Sequence, residues 1–142
     1  LGHQVDTQWG DPLNLNIKIE KITDGRFTYN GGIWDKTIGE MGPSVLVSID
    51  SIDIIISTYG TYEWNCEQFL SFDLNLDKYK FIVVKNPMNY KNSFSHIENI
   101  FVLDTLGPTP PTCKRLKFKK IKKYFPKDED LKFEDVLIKL HN

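Results

Sequence analysis

Apolar residues alternate with polar ones over most of residues 13–22, LNLNIKIEKI. Alternation places the apolar side chains on one face of an extended chain, so this stretch predicts a β-strand with one solvent-exposed face. Residues 23–26 (TDGR) follow, and the Asp-Gly pair is typical of a tight turn. A short strand is predicted next over residues 27–29, ending at the glycine-rich residues 30–32. Residues 39–43 (GEMGP) are predicted to be a loop.

A β-hairpin is predicted in the middle of the chain. Residues 44–49 (SVLVSI) and 52–57 (IDIIIS) are rich in β-branched side chains, and two turn residues, 50 and 51, separate them. Two such runs joined by a short turn are typical of paired antiparallel strands. Residues 66–70 then predict the start of a short helix, with Asn65 as its N-cap.

The next apolar runs bracket the most polar loop of the chain. Residues 81–84 (FIVV) and 100–103 (IFVL) each have the length and composition of a buried strand. Between them lie a proline-containing polar loop, residues 85–91, and a segment over 93–99 whose apolar residues have helical spacing. This order predicts strand, loop, short helix and strand.

The polar loop contains the candidate functional residues. Lys85 is the first charged residue after four apolar ones, and Asn89 and Lys91 follow. The loop leaves the carboxyl end of a predicted strand, where α/β sheets usually place their ligand-binding groups. The alternative is a solvated loop whose lysines protect a sheet edge, because loops also carry polar residues for solubility.

The character of the chain changes after residue 105. Residues 106–112 (LGPTPPT) are predicted to be extended, and residues 114–123 (KRLKFKKIKK) contain seven basic side chains. Such a segment could bind a polyanion, or it could be an edge strand in which Leu116 and Phe118 alternate with protective lysines. Residues 128–141 predict an amphipathic C-terminal helix.

Length and composition are those of an ordinary globular protein. The chain has 142 residues, of which 40% are hydrophobic and 26% charged, and this suits one α+β domain with a mixed sheet, hairpins and a few short helices. No apolar run approaches about 20 residues, so no membrane span is predicted and no membrane partner is expected. Cys66 and Cys113 are far apart, and reduced thiols in a cytoplasmic protein are expected. Nucleic acid is an unlikely partner by this interpretation, since the apolar residues of the basic segment are predicted to face inward.

The motifs of self-contained catalysis are missing from the sequence. His3, His96 and His141 have no His or Cys within metal-ligand spacing. The sequence contains no Gly-x-Ser-x-Gly elbow, P-loop or dinucleotide fingerprint. We therefore expect no cofactor in this chain, and we do not expect the chain to be catalytic alone.

Several segments in a fixed order resemble one family. They are residues 24–27 (DGRF), 41–47 (MGPSVLV), the hairpin through 57, 67–69 (EQF), 79–94, 102–105 (VLDT), 109–110 (TP), and the basic stretch before 125–128 (FPKD). Together they are similar to the C-terminal domain of the MlrC family, microcystin-degradation-type proteins classed as zinc metallopeptidases. The resemblance covers residues 1–128 and leaves 129–142 as a helical extension.

The resemblance implies that two domains of the parent protein have different roles. Zinc and most of the catalytic apparatus would belong to an N-terminal metal-binding domain, which is the expected partner and hydrolyses an amide bond in a small peptide substrate. This chain would form the second wall of the cleft as an accessory domain. Its start at Leu1 is expected to be a cut at the domain boundary.

The same resemblance implies roles for the polar loop. The family's loop reads Lys-Ser-x-x-His-Phe-Arg, and the matching positions here are Lys85, Asn86, Asn89, Tyr90 and Lys91. Lys85, Asn89 and Lys91 are thereby implied to border the active site. Asparagine in place of histidine cannot transfer a proton, and lysine in place of arginine lacks the bidentate fork. Altered specificity or inactivity of the parent protein would follow. A polyanion-binding module and a purely structural interaction domain remain the alternatives.

Overall fold

The computed structural model describes residues 1–2, 7–62, 65–86, 89–105, 107, 111–112, 116–121, 123–125 and 128–132. The chain divides into two compact units, Leu1–Phe101 and Val102–Asn142. The helices and strands of the described residues all lie in the first unit. They are the strands β1 Lys18–Thr23, β2 Arg26–Thr28, β3 Ile38–Glu40, β4 Ser44–Ile49 and β5 Ile52–Ser57, the helices α1 Glu67–Leu70 and α2 Tyr90–Ser93, and the 3-10 turns Gly32–Trp34 and Leu76–Lys78.

The predicted hairpin forms the centre of the larger sheet. β4 and β5 pair antiparallel, from Ser44 opposite Ser57 to Ile49 opposite Ile52. Asp50 takes a left-handed conformation in the turn, with φ of 50°, which a short aspartate side chain tolerates. The sheet has the order β1-β4-β5, so β4 is paired on both sides. The hairpin prediction is confirmed.

β1 is shorter than the alternating pattern, and its apolar side chains are more exposed than that pattern predicts. It starts at Lys18 rather than at residue 13, and it pairs antiparallel with β4 with an irregularity between Ile19 and Lys21. Ile19 and Ile22 are 59% and 71% exposed. Lys21 instead reaches from β1 to the adjoining loop, where its Nζ donates to an Asp73 carboxylate oxygen over 2.5 Å. The alternating pattern predicts that only the polar side chains of this strand face solvent. This prediction is wrong for Ile19 and Ile22, because both are exposed.

The hydrophobic core draws side chains from both sheets, with Phe27 from β2 and Leu46 from β4. β2 and β3 form a two-stranded antiparallel sheet, and the core cluster consists of Phe27, Tyr29, Met41, Leu46 and Phe72. The predicted turn at residues 23–26 is present, but the strands that it joins belong to different sheets. β3 was not predicted, because its Ile-Gly-Glu sequence overlaps the glycine-rich segment that indicates a loop.

The two strands predicted at residues 81–84 and 100–103 do not form. These residues have no regular secondary structure, and Phe81, Phe101 and Leu103 are 79%, 75% and 64% exposed. A strand is stable only when a neighbouring strand supplies its hydrogen bonds, and β-branched composition alone cannot provide that neighbour. The strand predictions for these two runs are wrong.

The helix predictions differ from the structure in their boundaries. α1 is present, but its N-cap is Cys66, while Asn65 Nδ2 donates a hydrogen bond to the Asn30 carbonyl. α2 begins at Tyr90, three residues before the predicted helix at 93–99, and ends at Ser93. The helix predicted over residues 128–141 lies largely outside the described residues.

The fold class is as predicted, but the edge strand predicted for the basic segment is absent from its described residues. The hairpins, antiparallel sheets and short helices confirm a small α+β fold. Residues 116–121 of the basic segment form no strand, so the edge-strand prediction is wrong for them. No helix in the described part of the chain is long and apolar enough to cross a membrane.

Candidate functional site

The candidate loop is arranged around Asn86. Asn86 is 8% exposed, and its Oδ1 accepts a hydrogen bond from the Asn89 backbone N–H over 3.0 Å. An asparagine that bonds the backbone a few residues ahead stabilises a turn in the same way as an Asx-turn. The bonded residue, Asn89, is the N-cap of α2. Asn86 is therefore a structural residue of the loop.

The predicted site residues occupy different positions on this loop. Lys85 directly precedes Asn86, and Lys91 lies within α2. Both lysine side chains are exposed, whereas Asn89 is half-buried. Among the described residues, neither lysine has a carboxylate within ion-pair distance. The loop thus presents two free ammonium groups that an anionic or carbonyl group could approach.

An aromatic contact and a thiol anchor the loop to α1. Phe94, directly after α2, is 6% exposed, and its ring meets the Phe69 ring edge-on with centroids 6.2 Å apart. Cys66 Sγ donates a hydrogen bond to the Ser93 carbonyl oxygen over 3.1 Å. Burial, and secondarily the nearby Glu67 carboxylate, raise the pKa of the Cys66 thiol. The thiol therefore stays protonated as a donor at neutral pH. The predicted reduced state agrees with Cys66 as a free thiol, and Cys113 lies outside the described residues.

Two of the glycine-containing motifs lie against each other in the first unit. The Met41 backbone N–H donates to the Gly25 carbonyl over 2.8 Å, and Ser44 Oγ donates to the Gly42 carbonyl over 2.7 Å. Gly25 has φ of +74°, and a Cβ there would lie 1.9 Å from the Gly42 oxygen. Only glycine fits such a close approach at a positive φ. The DGRF and MGPS segments are therefore parts of one backbone junction.

A hollow beside α1, which no sequence motif predicted, is a further possible site. It has a volume of about 270 Å³ and is lined by Phe27, Thr28, Glu67, Leu70 and Ser71. Glu67 Oε2 is buried and has no hydrogen-bond partner among the described residues. A buried carboxylate oxygen without a partner favours a cationic or hydrogen-bond-donating visitor. Glu67 belongs to the EQF segment, one of the segments that resemble the MlrC family. Nothing in the sequence indicated that its Oε2 atom would be buried.

A second hollow has aromatic walls. It is also about 270 Å³ in volume, and Tyr29, Trp34, Glu40 and Tyr62 are among its lining residues. The rings of Trp34 and Tyr62 are stacked 6.3 Å apart, and Tyr29 Oη donates to the Tyr62 carbonyl over 2.9 Å. Arg26 makes an ion pair with Glu40 at 3.1 Å, so this carboxylate is already satisfied. These residues are far apart in sequence, and no local motif predicted their meeting.

The described residues contain no group of three or more His, Cys, Asp or Glu side chains that could hold a metal ion. Lys85, Asn89 and Lys91 include no zinc ligand of the usual His, Cys or carboxylate type. What this loop can do chemically is to bind and orient a polar or anionic group through ammonium and amide hydrogen bonds.

Comparison with known proteins agrees with this arrangement of motifs. The sequence model of one family, described as MlrC C-terminus, matches residues 1–120. No curated protein and no solved structure matches the chain significantly. Since the match spans most of the 142 residues, the chain belongs to the MlrC C-terminus family.

Proposed function

We propose that this chain is the accessory C-terminal domain of an MlrC-like zinc metallopeptidase and that it contributes one wall of the active-site cleft. The observation that carries the proposal is the family match over residues 1–120. The preceding part of the polypeptide would hold the zinc ion, which supplies Lewis-acid polarisation of the scissile carbonyl and an activated water. The parent protein would hydrolyse an amide bond of a small peptide, in the cytoplasm.

The polar loop is the part of this chain that we assign to the cleft. Lys85 and Lys91 are exposed ammonium groups on a loop that Phe94 and Cys66 hold in place. Exposed cations on an anchored loop can bind a substrate carboxylate or carbonyl without a large loss of conformational entropy. Asn89 could contribute an amide hydrogen bond. Since asparagine does not titrate, it would position substrate and would not transfer protons.

The decisive experiment uses the full natural polypeptide that contains this chain. The proposal requires about one zinc ion per polypeptide and zinc-dependent hydrolysis of small or cyclic peptides. Elemental analysis of the purified protein and a peptide-hydrolysis assay before and after chelation measure both properties. A natural polypeptide without stoichiometric zinc, or one whose hydrolysis survives complete chelation, would contradict the proposal.

The cleft assignment is tested by charge removal. Lys85→Ala and Lys91→Ala should each lower kcat/KM by about tenfold, since a charge-assisted hydrogen bond contributes about 1.5 kcal/mol. Lys80→Ala is the matched control, because Lys80 is also exposed but lies outside the loop. Equal kinetics for all three variants would remove the loop from the cleft.

A second candidate function is polyanion binding by the basic segment, and one observation favours it. Lys117, Lys119 and Lys120 are exposed, and Leu116 and Phe118 beside them are 42% and 43% exposed. The Phe118 ring is thus not buried in the core. Ammonium groups beside an exposed ring suit a polyanion that has groups able to stack on the ring. Seven of the 18 basic residues of the chain lie in residues 114–123.

Heparin chromatography tests this second function. Retention that falls steeply with salt is expected, because binding releases condensed counterions. The pair Lys117→Glu and Lys119→Glu should abolish the retention, whereas Lys78→Glu with Lys80→Glu makes the same charge change elsewhere and should have a smaller effect. Loss of retention to the same extent in both double variants would indicate only a net-charge effect.

A further inference from the structure

The alternating pattern starts five residues before the strand that it predicts. At the start of β1, Lys18 lies opposite Ser48 near the end of β4, and the chain of β4 turns back at Asp50. Continuing this register places Ile17 level with Ile49, so residues 13–15 extend past the hairpin turn. They have the sequence of a strand, but among the described residues no strand lies beside them.

The apolar side chains of this stretch are open to solvent. We call Leu13, Leu15, Ile17 and Ile19 the β1 stripe, and they are 61%, 39%, 39% and 59% exposed. Four large apolar side chains in alternation, of which Ile19 lies in the edge strand β1 and the other three directly precede it, are unusual for a surface that stays in water. β1 is also the outer strand of its sheet, with β4 on one side only. Both the side chains and the backbone edge are thus available to another strand.

The beginning of the chain is paired with Leu13, at the start of this stretch. The Leu13 backbone N–H donates to the Leu1 carbonyl over 3.0 Å, and the Leu1 amino group donates to the Leu13 carbonyl over 2.6 Å. Two residues that exchange both hydrogen bonds are the narrow pair of an antiparallel ladder. In that register, the residues that would precede Leu1 run alongside residues 14–17.

We propose that the polypeptide segment immediately preceding Leu1 in the natural protein forms an antiparallel strand along residues 13–19 and places its own apolar side chains beside the β1 stripe. This inference rests on the proposed function, in which the chain is the C-terminal part of a longer protein. The added strand would extend the sheet to the order segment-β1-β4-β5. It would tie the preceding domain to this one by backbone hydrogen bonds as well as by apolar contact.

The register of the Leu1–Leu13 pair specifies which residues of the preceding segment lie opposite Leu15 and Ile17. The second residue before Leu1 would lie opposite Leu15, and the fourth would lie opposite Ile17. Opposed residues of a ladder point to the same face, so these two positions are expected to be apolar. Hydrogen-bonded pairs alternate with non-hydrogen-bonded pairs. The N–H groups of Leu15 and Ile17 would therefore bond the new strand, while those of Asn14 and Asn16 would point away from it.

Amide-resolved hydrogen exchange tests this pattern on the full natural polypeptide and on the 142-residue chain. The Leu15 and Ile17 amides should exchange at least about tenfold more slowly in the full polypeptide, whereas the Asn14 and Asn16 amides should change much less. Unchanged exchange at Leu15 and Ile17 overturns the inference. Charged residues at the second and fourth positions before Leu1 overturn it as well.

A pair of substitutions in the full polypeptide separates strand pairing from general shielding. Ile17→Lys places a charge within the β1 stripe and should restore fast exchange at Leu15. Asn16→Lys is the matched control, because the Asn16 side chain is exposed and, by strand alternation, points to the opposite face. Equal effects of the two substitutions would mean that residues 13–19 are not paired as proposed.

Mass and zinc measurements distinguish the remaining outcomes. If the 142-residue chain alone protects Leu15 and Ile17 and doubles its mass in sedimentation, a second copy occupies the edge and the inference is wrong. Zinc-loaded polypeptide with unprotected amides overturns this inference and leaves the proposed function intact. Protected amides in a polypeptide without zinc overturn the proposed function and leave this inference intact.

Discussion

The junction of Gly25 with Gly42 shows how single residues set the backbone of this domain. Gly25 combines a φ of +74° with a carbonyl neighbour that leaves no room for a side chain. Both restrictions act on the same residue, and either alone would favour glycine. The Asp-Gly pair was recognisable in the sequence as a turn, but its contact with residue 42 was not.

Gly25→Ala should destabilise the fold by about 1–3 kcal/mol, the usual cost of forcing a strained backbone position, because the new methyl group meets the Gly42 oxygen at 1.9 Å. Urea denaturation measures the change. Gly60→Ala is the control, since a Cβ there meets no atom within 4 Å and should alter stability by less than about 0.5 kcal/mol. Equal midpoints for the two variants would contradict the junction.

Tyr79 gives a second prediction at the residue scale. Its hydroxyl donates to Asp53, and this hydrogen bond, followed by burial and the Asp53 charge, raises the pKa of Tyr79 from 10.0 to about 12. The protonated phenol is the bonded form. Its contribution to stability is therefore complete below pH 10 and is lost as the pH rises through about 12.

Asp53→Ala should return the pKa of Tyr79 toward its ordinary value, so that one phenol fewer titrates at the alkaline end of an ultraviolet absorbance titration. Asp11→Asn removes an exposed carboxylate elsewhere and should leave the curve unchanged. A curve for the Asp53 variant that matches the unsubstituted protein would show that the contact does not hold Tyr79 protonated.

At the scale of elements, the candidate loop depends on α1. Phe94 and Ser93 at the end of α2 contact Phe69 and Cys66, so a short helix holds the segment that carries Lys85 and Lys91. A four-residue helix has little stability of its own, and tertiary contacts must stabilise it. The loop and α1 should therefore lose order together.

Phe94→Ala should lower the free energy of unfolding by about 3 kcal/mol, since Phe94 is 6% exposed and its removal leaves a cavity beside Phe69. Thermal and urea denaturation measure the loss. Phe81→Ala is the matched control, because Phe81 is 79% exposed and contributes little burial. Similar destabilisation by both substitutions would contradict the assignment of Phe94 as the anchor of the loop.

At the scale of the whole molecule, the described part of the chain leaves many apolar side chains in water. Besides the β1 stripe, residues 81–84 and 100–103 expose Phe81, Val83, Phe101 and Leu103. A surface of this kind is typical of a domain that contacts further protein. It agrees with the proposal that a preceding domain completes the structure.

The 142-residue chain should therefore bind a hydrophobic fluorescent dye more strongly than the full natural polypeptide does. The double variant Phe81→Lys and Phe101→Lys should reduce dye binding by the 142-residue chain, since both rings are at least 75% exposed. Lys78→Ala with Lys80→Ala tests whether charge alone alters the signal. Equal fluorescence per chain for both proteins would mean that the preceding domain leaves these surfaces open.

The sequence by itself determined the local features of this protein. The Asp-Gly turn, the hairpin of β4 and β5, the short helix α1 and the family all follow from neighbouring residues, because propensity, alternation and motif order act over short distances. Only the tertiary structure decided that β1 pairs with β4 and that Ile19 and Ile22 face solvent. It also decided that the Glu67 Oε2 atom is buried with no hydrogen-bond partner among the described residues. Burial and strand pairing depend on which distant segments meet. An apolar run such as residues 81–84 therefore has the composition of a strand but becomes one only beside a partner.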